Sequence, residues 1–185
     1  MDWPRVHAQL ATYLELILKW NARTNLTAIR TPGEIVRRHF GESLFAGIHL
    51  GDCATLLDFG SGAGFPGIPI QLLRPDVAVT LAESQSKKAA FLREAVRSLG
   101  LSSEVWAKRV EEMPSNRRFD VVTLRAVDTM EAAVREAATR ASSRVLIITT
   151  GQSSPSALLS EDFTAAERIP LPETNDGVLE ILRRR

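Results

Sequence analysis

The apolar run Leu56-Leu57-Asp58-Phe59 passes directly into Gly60-Ser61-Gly62-Ala63-Gly64-Phe65-Pro66-Gly67, and no other feature limits the possible folds as sharply. A strand that ends in a glycine-rich turn and reopens as a helix, here near Pro66 or Ile68, is the unit that binds nucleotide-like ligands in open α/β sheets. Glycine is needed because a Cβ would block both the tight turn and the close approach of backbone amides to a ligand. The four glycines between 60 and 67 exceed what a simple turn requires.

The rest of the chain follows the same rhythm. Short apolar runs predict strands at 54–59, 77–83, 104–107, 119–125 and 144–150, alternating with helical patterns, as in β-α-β units with a largely parallel sheet. The clearest helix runs from Gln85 to Leu99, with Ala89, Leu92, Ala95, Val96 and Leu99 on one face, Ser84 placed to cap its start and Gly100 to stop it. Ahead of the sheet, Trp3, Val6, Leu10, Tyr13, Leu14, Ile17 and Leu18 recur at helical spacing. A turn-rich stretch, Asn21 to Gly33, leads to a second helix with Ile35, Val36, Phe40 and Leu44 on a shared face. After residue 150, Gln152 to Pro155 reads as a loop, and Phe163–Ile169 with Val178–Leu182 as a terminal hairpin. The expectation is one α/β domain over 1–185, comprising a helical extension at 1–50 and a cofactor-binding sheet at 51–185. The sheet is mostly parallel, with helices on both faces, two N-terminal helices and a C-terminal β-hairpin.

Gly62-Ala63-Gly64-Phe65-Pro66-Gly67 also matches the dinucleotide pattern GxGxxG, and Glu83 lies where a ribose-binding acid belongs, so an NAD or FAD site stays open. Asp58 argues against it. A carboxylate two residues before Gly60 would face a pyrophosphate with like charge, whereas the methionine part of S-adenosylmethionine carries an ammonium and a sulfonium. A net charge of +1 gives no overall attraction to nucleic acid, so RNA binding requires a local cluster of cations. Arg23, Arg30, Arg37 and Arg38 are candidates for such a basic rim, with Arg183 to Arg185 either adding to it or fraying as a tail. Lys87 is a candidate phosphate contact, while Lys88 and Arg93 read as a solvated helix face. Trp3, Trp20 and Trp106 read as packing residues. Cys53 is the sole cysteine and reads as a core residue, so no disulfide or multi-cysteine metal cage forms within the chain. Met1 to Arg5 lacks the order of a signal peptide, and no apolar run approaches the roughly 20 residues that span a bilayer, so a cytoplasmic protein without membrane or metal partners is expected.

The sequence resembles the bacterial ribosomal RNA small-subunit methyltransferase G family, also called glucose-inhibited division protein B. The likeness is carried by Trp20-Asn21-Ala22-Arg23-Thr24-Asn25-Leu26-Thr27, Arg38-His39, the extension Phe65-Pro66-Gly67-Ile68-Pro69, Lys87 to Leu92, Arg109-Val110-Glu111-Glu112 and Phe119-Asp120-Val121-Val122. It implies a Rossmann-like class I methyltransferase fold. The implied reaction is methyl transfer from S-adenosylmethionine to N7 of a guanine in the 530 loop of 16S ribosomal RNA, with that RNA or the small ribosomal subunit as partner. Asp58, Gly60, Gly62, Gly64, Phe65, Glu83, Val110, Glu111 and Arg125 are the candidate cofactor residues. Asn25, His39, Arg109 and Arg125 are the candidate catalytic residues, and Arg37, Arg38 and Lys87 the candidate RNA contacts. The chain departs from the family pattern at Glu42, where an aspartate is more usual, and at Thr150, where a lysine is. Ala141-Ser142-Ser143 replaces a proline-glycine-glycine turn and reads as a changed loop.

Guanine N7 carries an in-plane lone pair, so its methylation requires no general base, and alignment of nucleophile, methyl and sulfur carries the rate. That accounts for the absence of a clear acid/base pair in the sequence. Two other readings stay open: an RNA-binding or assembly protein that keeps the cofactor fold without turnover, and a methyltransferase acting on another substrate.

Overall fold

The computed structural model describes residues 2–127, 129–150, 158–159, 162–164 and 167–185. Seven strands form one sheet in the order β3-β2-β1-β4-β5-β7-β6. β1 (Thr55–Phe59), β2 (Ala78–Ala82), β3 (Glu104–Trp106), β4 (Phe119–Arg125) and β5 (Ala141–Thr150) run parallel, while β7 (Gly177–Arg183) is antiparallel to both β5 and β6 (Glu167–Pro170). The order reverses on the two sides of β1, which opens a crevice at the carboxyl ends of β1 and β4. The expected parallel sheet with a terminal hairpin is therefore present. The loop expected at Gln152 to Pro155 lies outside the described residues.

Alternation of side chains along the strands builds a core on each face. Leu56, Val79, Leu81, Val121, Leu146 and Ile148 pack toward α1 (Trp3–Asn21), α4 (Gly67–Leu73) and α5 (Ser86–Ser98). Leu57, Val122, Leu124, Val145 and Ile147 pack toward α6 (Met130–Arg140) on the other face. α5 ends as its sequence implies: the N–H groups of Gly100 and Leu101 donate to the carbonyls of Arg97 and Val96, with Gly100 at φ +64. Its start differs. Gln85 is the cap residue and makes no side-chain capping bond, and the Glu83 carboxylate, rather than Ser84, accepts from the Gln85 N–H at 2.7 Å.

Between α1 and the sheet, the chain passes through α2 (Pro32–Glu34), a π-helical segment (Ile35–Phe40) and α3 (Gly41–Ile48). The π segment, closed by the Gly41 N–H on the Val36 carbonyl, inserts one extra residue into the turn. The apolar face read as Ile35, Val36, Phe40 and Leu44 is thereby rotated. Val36 is turned to solvent while His39, Glu42 and Ser43 go inside. Trp3, expected to pack, is 60% exposed because it sits at the first turn of α1, beyond the core. Trp20 does pack, edge-on against Phe91 at 5.7 Å.

Two further readings change. Ala141 to Ser143 form the start of β5 and not a loop, since α6 leads straight into the strand and Ser142 Oγ donates to the Phe119 carbonyl at 3.0 Å beside a register shift. The final arginines are not a frayed tail. The Arg184 N–H donates to the Ser143 carbonyl at 2.7 Å, its Nε to the Ala141 carbonyl at 3.1 Å, and its guanidinium lies 4.7 Å from the Phe163 ring.

Phe91 joins the helical extension to the sheet, stacking on Tyr13 at 6.4 Å and meeting Trp20. Phe91→Ala is expected to lower unfolding free energy by about 3–5 kcal/mol, read from the urea midpoint at constant m-value.

Candidate functional site

The glycine turn is held from below by two carboxylates. Asp58 is fully buried; its Oδ2 accepts from the Gly67 N–H at 3.1 Å and its Oδ1 from the Thr123 hydroxyl at 3.0 Å. Glu83, at the end of β2, accepts from the Gly62 N–H at 3.0 Å through Oε2 while Oε1 takes Gln85. The two acids thus set the path of the turn and the entry of α5. Gly60 and Gly62 have φ of +69 and +57, a region that disfavours side chains. A Cβ at Gly60 would come within 2.7 Å of Val127, whereas one at Gly62 would meet only the Gly60 carbonyl at 3.9 Å. Glycine at 62 therefore leaves open the space above the turn.

That space is a cavity of about 840 Å³. Gly60, Ser61, Gly62, Phe65, Glu83, Ser84 and Gln85 form one wall, Leu26 to Ile29, Arg38 and His39 a second, and Lys88, Arg109, Glu111, Arg125, Ala126 and Val127 a third. Its volume falls within the range of small-molecule and cofactor sites. Ala126 follows Arg125 with φ 49, an unusual conformation for a residue with a Cβ, at the point where β4 turns along the cavity.

The second wall is built from a loop that Asn21 organises. Asn21 Oδ1 accepts from the N–H groups of Leu26 and Thr27 at 3.0 and 3.2 Å, and its Nδ2 donates to the Thr27 carbonyl at 3.1 Å. Thr27 Oγ1 in turn lies 2.6 Å from His39 Nε2. His39 Nδ1 receives Arg125 Nη2 at 2.8 Å, and a guanidinium can only donate, so Nδ1 is an acceptor and the proton of the neutral ring sits on Nε2. Burial, with Arg125 and Arg38 nearby, pushes the His39 imidazolium down to about 3. The ring lies 4.7 Å from Phe65 on the glycine turn. Arg125 also donates through Nε and Nη2 to Glu42 Oε2 at 3.1 and 2.7 Å. Tyr13 Oη donates to the Ala63 carbonyl and its ring stacks on Phe40 at 5.4 Å, so α1 and the π segment grip the same turn.

Most of the residues expected at the site meet here. Gly60, Gly62, Phe65, Glu83, Glu111, Arg125, His39, Arg109 and Arg38 line one cavity. Asp58 does not line it, being fully buried beneath the turn, where its oxygens accept from Gly67 and Thr123 and support the turn from below. Gly64 and Val110 lie behind the lining. Asn25 is exposed and accepts from Arg30 Nη2 at 3.1 Å. Arg37 points away and donates to the Glu173 carbonyl at 3.0 Å. Lys88, read as solvated, lines the cavity in place of Lys87, since the face of α5 that starts at Ser86 brings Lys88 round to the turn. Asn21 and Glu42 were not assigned roles from sequence. A buried polar side chain in an apolar helix pattern is the signal that marks both. Among the described residues no helix is long and apolar enough to cross a membrane, and no group of three or more His, Cys, Asp or Glu side chains is placed to hold a metal ion.

The two perturbed groups have opposite linkage. His39 stays neutral in the fold, so stability falls as pH drops from 6.5 toward 3. Burial raises Asp58 from 3.8 to about 6, so its contribution falls as pH rises across that window. The two slopes oppose each other between 3.8 and about 6. Asp58→Asn is expected to gain stability relative to the parent as pH rises through that interval, measured by urea unfolding. The ring carbons of His39 should keep neutral-imidazole NMR shifts down to about pH 4; titration near 6.5 would contradict the bonding described above.

Comparison with known proteins gives three findings. A family model described as rRNA small subunit methyltransferase G matches residues 6–163. Ribosomal RNA small subunit methyltransferase G of Stenotrophomonas maltophilia is 46% identical over 127 residues, covering 68% of this chain and 59% of the relative, and that of Nitrosomonas europaea is 46% identical over 131 residues, covering 70% and 61%. The chain thus spans about three fifths of the length of these curated relatives. In fold it is similar to the crystal structure of magnesium protoporphyrin IX methyltransferase from Synechocystis with bound SAM, at TM-score 0.69 and 12% identity over 94% of this chain and 97% of that one. The architecture is that of the class I methyltransferases.

Proposed function

The chain belongs to the rRNA small subunit methyltransferase G family, and on that premise we propose that it transfers a methyl group from S-adenosylmethionine to N7 of a guanine in the 530 loop of 16S ribosomal RNA. The partner in this reading is that RNA or the small ribosomal subunit, met in the cytoplasm. The observation that carries the reading is the open cavity above Gly60 and Gly62, at the carboxyl ends of β1 and β4, with Glu83 and Arg125 on its walls.

The residues present fit such a cofactor. Gly62 keeps its space free of side chain, and each Glu83 oxygen, after accepting one backbone N–H, retains a lone pair for a ribose hydroxyl. Glu111 offers a second carboxylate, and Phe65 an apolar ring with the Arg125 guanidinium 5.9 Å from its centroid. When bound, the cofactor supplies an electrophilic methyl on a sulfonium. The chain's own work is then alignment and charge control. Arg38, Lys88 and Arg109 stand on the cavity walls where RNA phosphates would meet cations. His39, held neutral, adds no positive charge opposite a base that becomes cationic on methylation. Asn25 sits one residue before the lining and reaches substrate only from the rim.

Incubation with labelled S-adenosylmethionine and small ribosomal subunits that lack their native methylations is expected to place label on a guanine N7 of the 16S RNA. Cofactor binding without label in that RNA would overturn the proposed turnover. Gly62→Leu, whose side chain enters the cavity, is expected to weaken S-adenosylmethionine at least about tenfold in titration calorimetry, as the loss of a close backbone approach implies. Unchanged affinity would remove the glycine turn from the cofactor site.

A further inference from the structure

Arg125 stands on the cavity wall with two of its three nitrogens committed. Nε and Nη2 donate to Glu42 at 3.1 and 2.7 Å, Nη2 also reaches His39, and Nη1 makes no hydrogen bond among the described residues. Glu42 is 4% exposed, and its other oxygen lies 3.7 Å from Arg38 Nε. Arg38 and Arg125 both line the cavity, so one buried carboxylate is set against two guanidinium groups. A buried ion pair of this kind adds little net stability compared with an apolar pair. Its larger effect falls on the field inside the cavity.

That field bears on a specific choice. S-adenosylmethionine carries a positive sulfonium; S-adenosylhomocysteine, which remains after the methyl group leaves, is a neutral thioether and otherwise the same molecule. A guanidinium without its counter-charge would repel the first and not the second. At an effective dielectric of about 20, one unit of charge about 12 Å away changes affinity by about tenfold, and a nearer one by more.

We propose that Glu42 is a positioning residue that orients Arg125 and cancels its charge, and thereby sets the preference of the cavity for the sulfonium cofactor over the thioether product. The proposal rests on the methyl-donor reading given above. It assigns the extra residue of the π segment a purpose: the insertion turns His39 and Glu42 inward together, onto the same guanidinium. It also gives product release a physical basis, since the thioether left after transfer gains nothing from the carboxylate.

Calorimetric affinities for the two cofactor forms, measured on the parent, Glu42→Gln, Glu42→Asp and Arg125→Gln, test it. Glu42→Gln, which keeps the acceptor and loses the charge, is expected to weaken S-adenosylmethionine about tenfold more than S-adenosylhomocysteine. Glu42→Asp should keep the parent ratio. Arg125→Gln should weaken both forms and shift the ratio the other way, toward the sulfonium, which decides the matter even if Glu42→Gln does not fold. Equal loss of both forms in Glu42→Gln, or an unchanged ratio in Arg125→Gln, would overturn the proposal while leaving the cofactor reading intact. A parent protein that binds neither form would overturn the cofactor reading, and this proposal with it.

Discussion

The carboxylate of Asp58 is the constraint on which the site depends. It lies one residue before the end of β1, with no solvent contact, and takes its bonds from the Gly67 N–H and the Thr123 hydroxyl. Through these two bonds the turn, the first residue of α4 and strand β4 are tied to one point. A buried carboxyl costs solvation unless its lone pairs are used, and here they are used on the segments that must be held still if a ligand is to meet bare backbone. Glu83 repeats the device one strand over, holding the opposite lip of the turn while remaining on the cavity wall.

The helical extension closes the site from the other side. Tyr13, Phe40, Phe65 and His39 make a continuous ring cluster from α1 across the π segment to the glycine turn. Aromatic contacts of this kind bury large areas with defined geometry, which suits a wall whose polar groups must stay in register with β4. The polar chain from Asn21 through Thr27 and His39 to Arg125 and Glu42 runs beside it. Each member has a partner within the chain of bonds, so the network orders the wall and pairs the Arg125 guanidinium with the Glu42 carboxylate. The wall from the helical extension and the wall from β4 therefore share one guanidinium.

Much of this was legible in the chain. The strand-turn-helix unit at Leu56 to Gly67 pointed to a parallel sheet, and β4 fell at the expected residues because Val121-Val122-Thr123-Leu124 is a β-branched-rich run between Asp120 and Arg125. Gly60, Gly62 and Glu83 were identifiable because their chemistry is local to the turn. Asp58 was read as a ligand contact on the grounds of charge, but side-chain direction in a strand alternates, and its residue faces the α4 side of the sheet. Lys87 and Lys88 could not be separated by spacing alone, since a shift of one residue in the start of α5 rotates each by about a quarter turn.

What the sequence by itself determined was the topology and the turn: apolar periodicity and glycine content act between near neighbours, and near neighbours can be read in a line. What only the tertiary structure decided was the charge state of the site. The extra residue between Ile35 and Phe40 turns His39 and Glu42 to the inside, and packing of α1 against α4 and α5 sets them against Arg125, more than eighty positions away in the chain. Contacts over such separations follow from how layers pack, and the energies of a buried carboxylate, a neutral imidazole and a guanidinium exist only once those layers have excluded water.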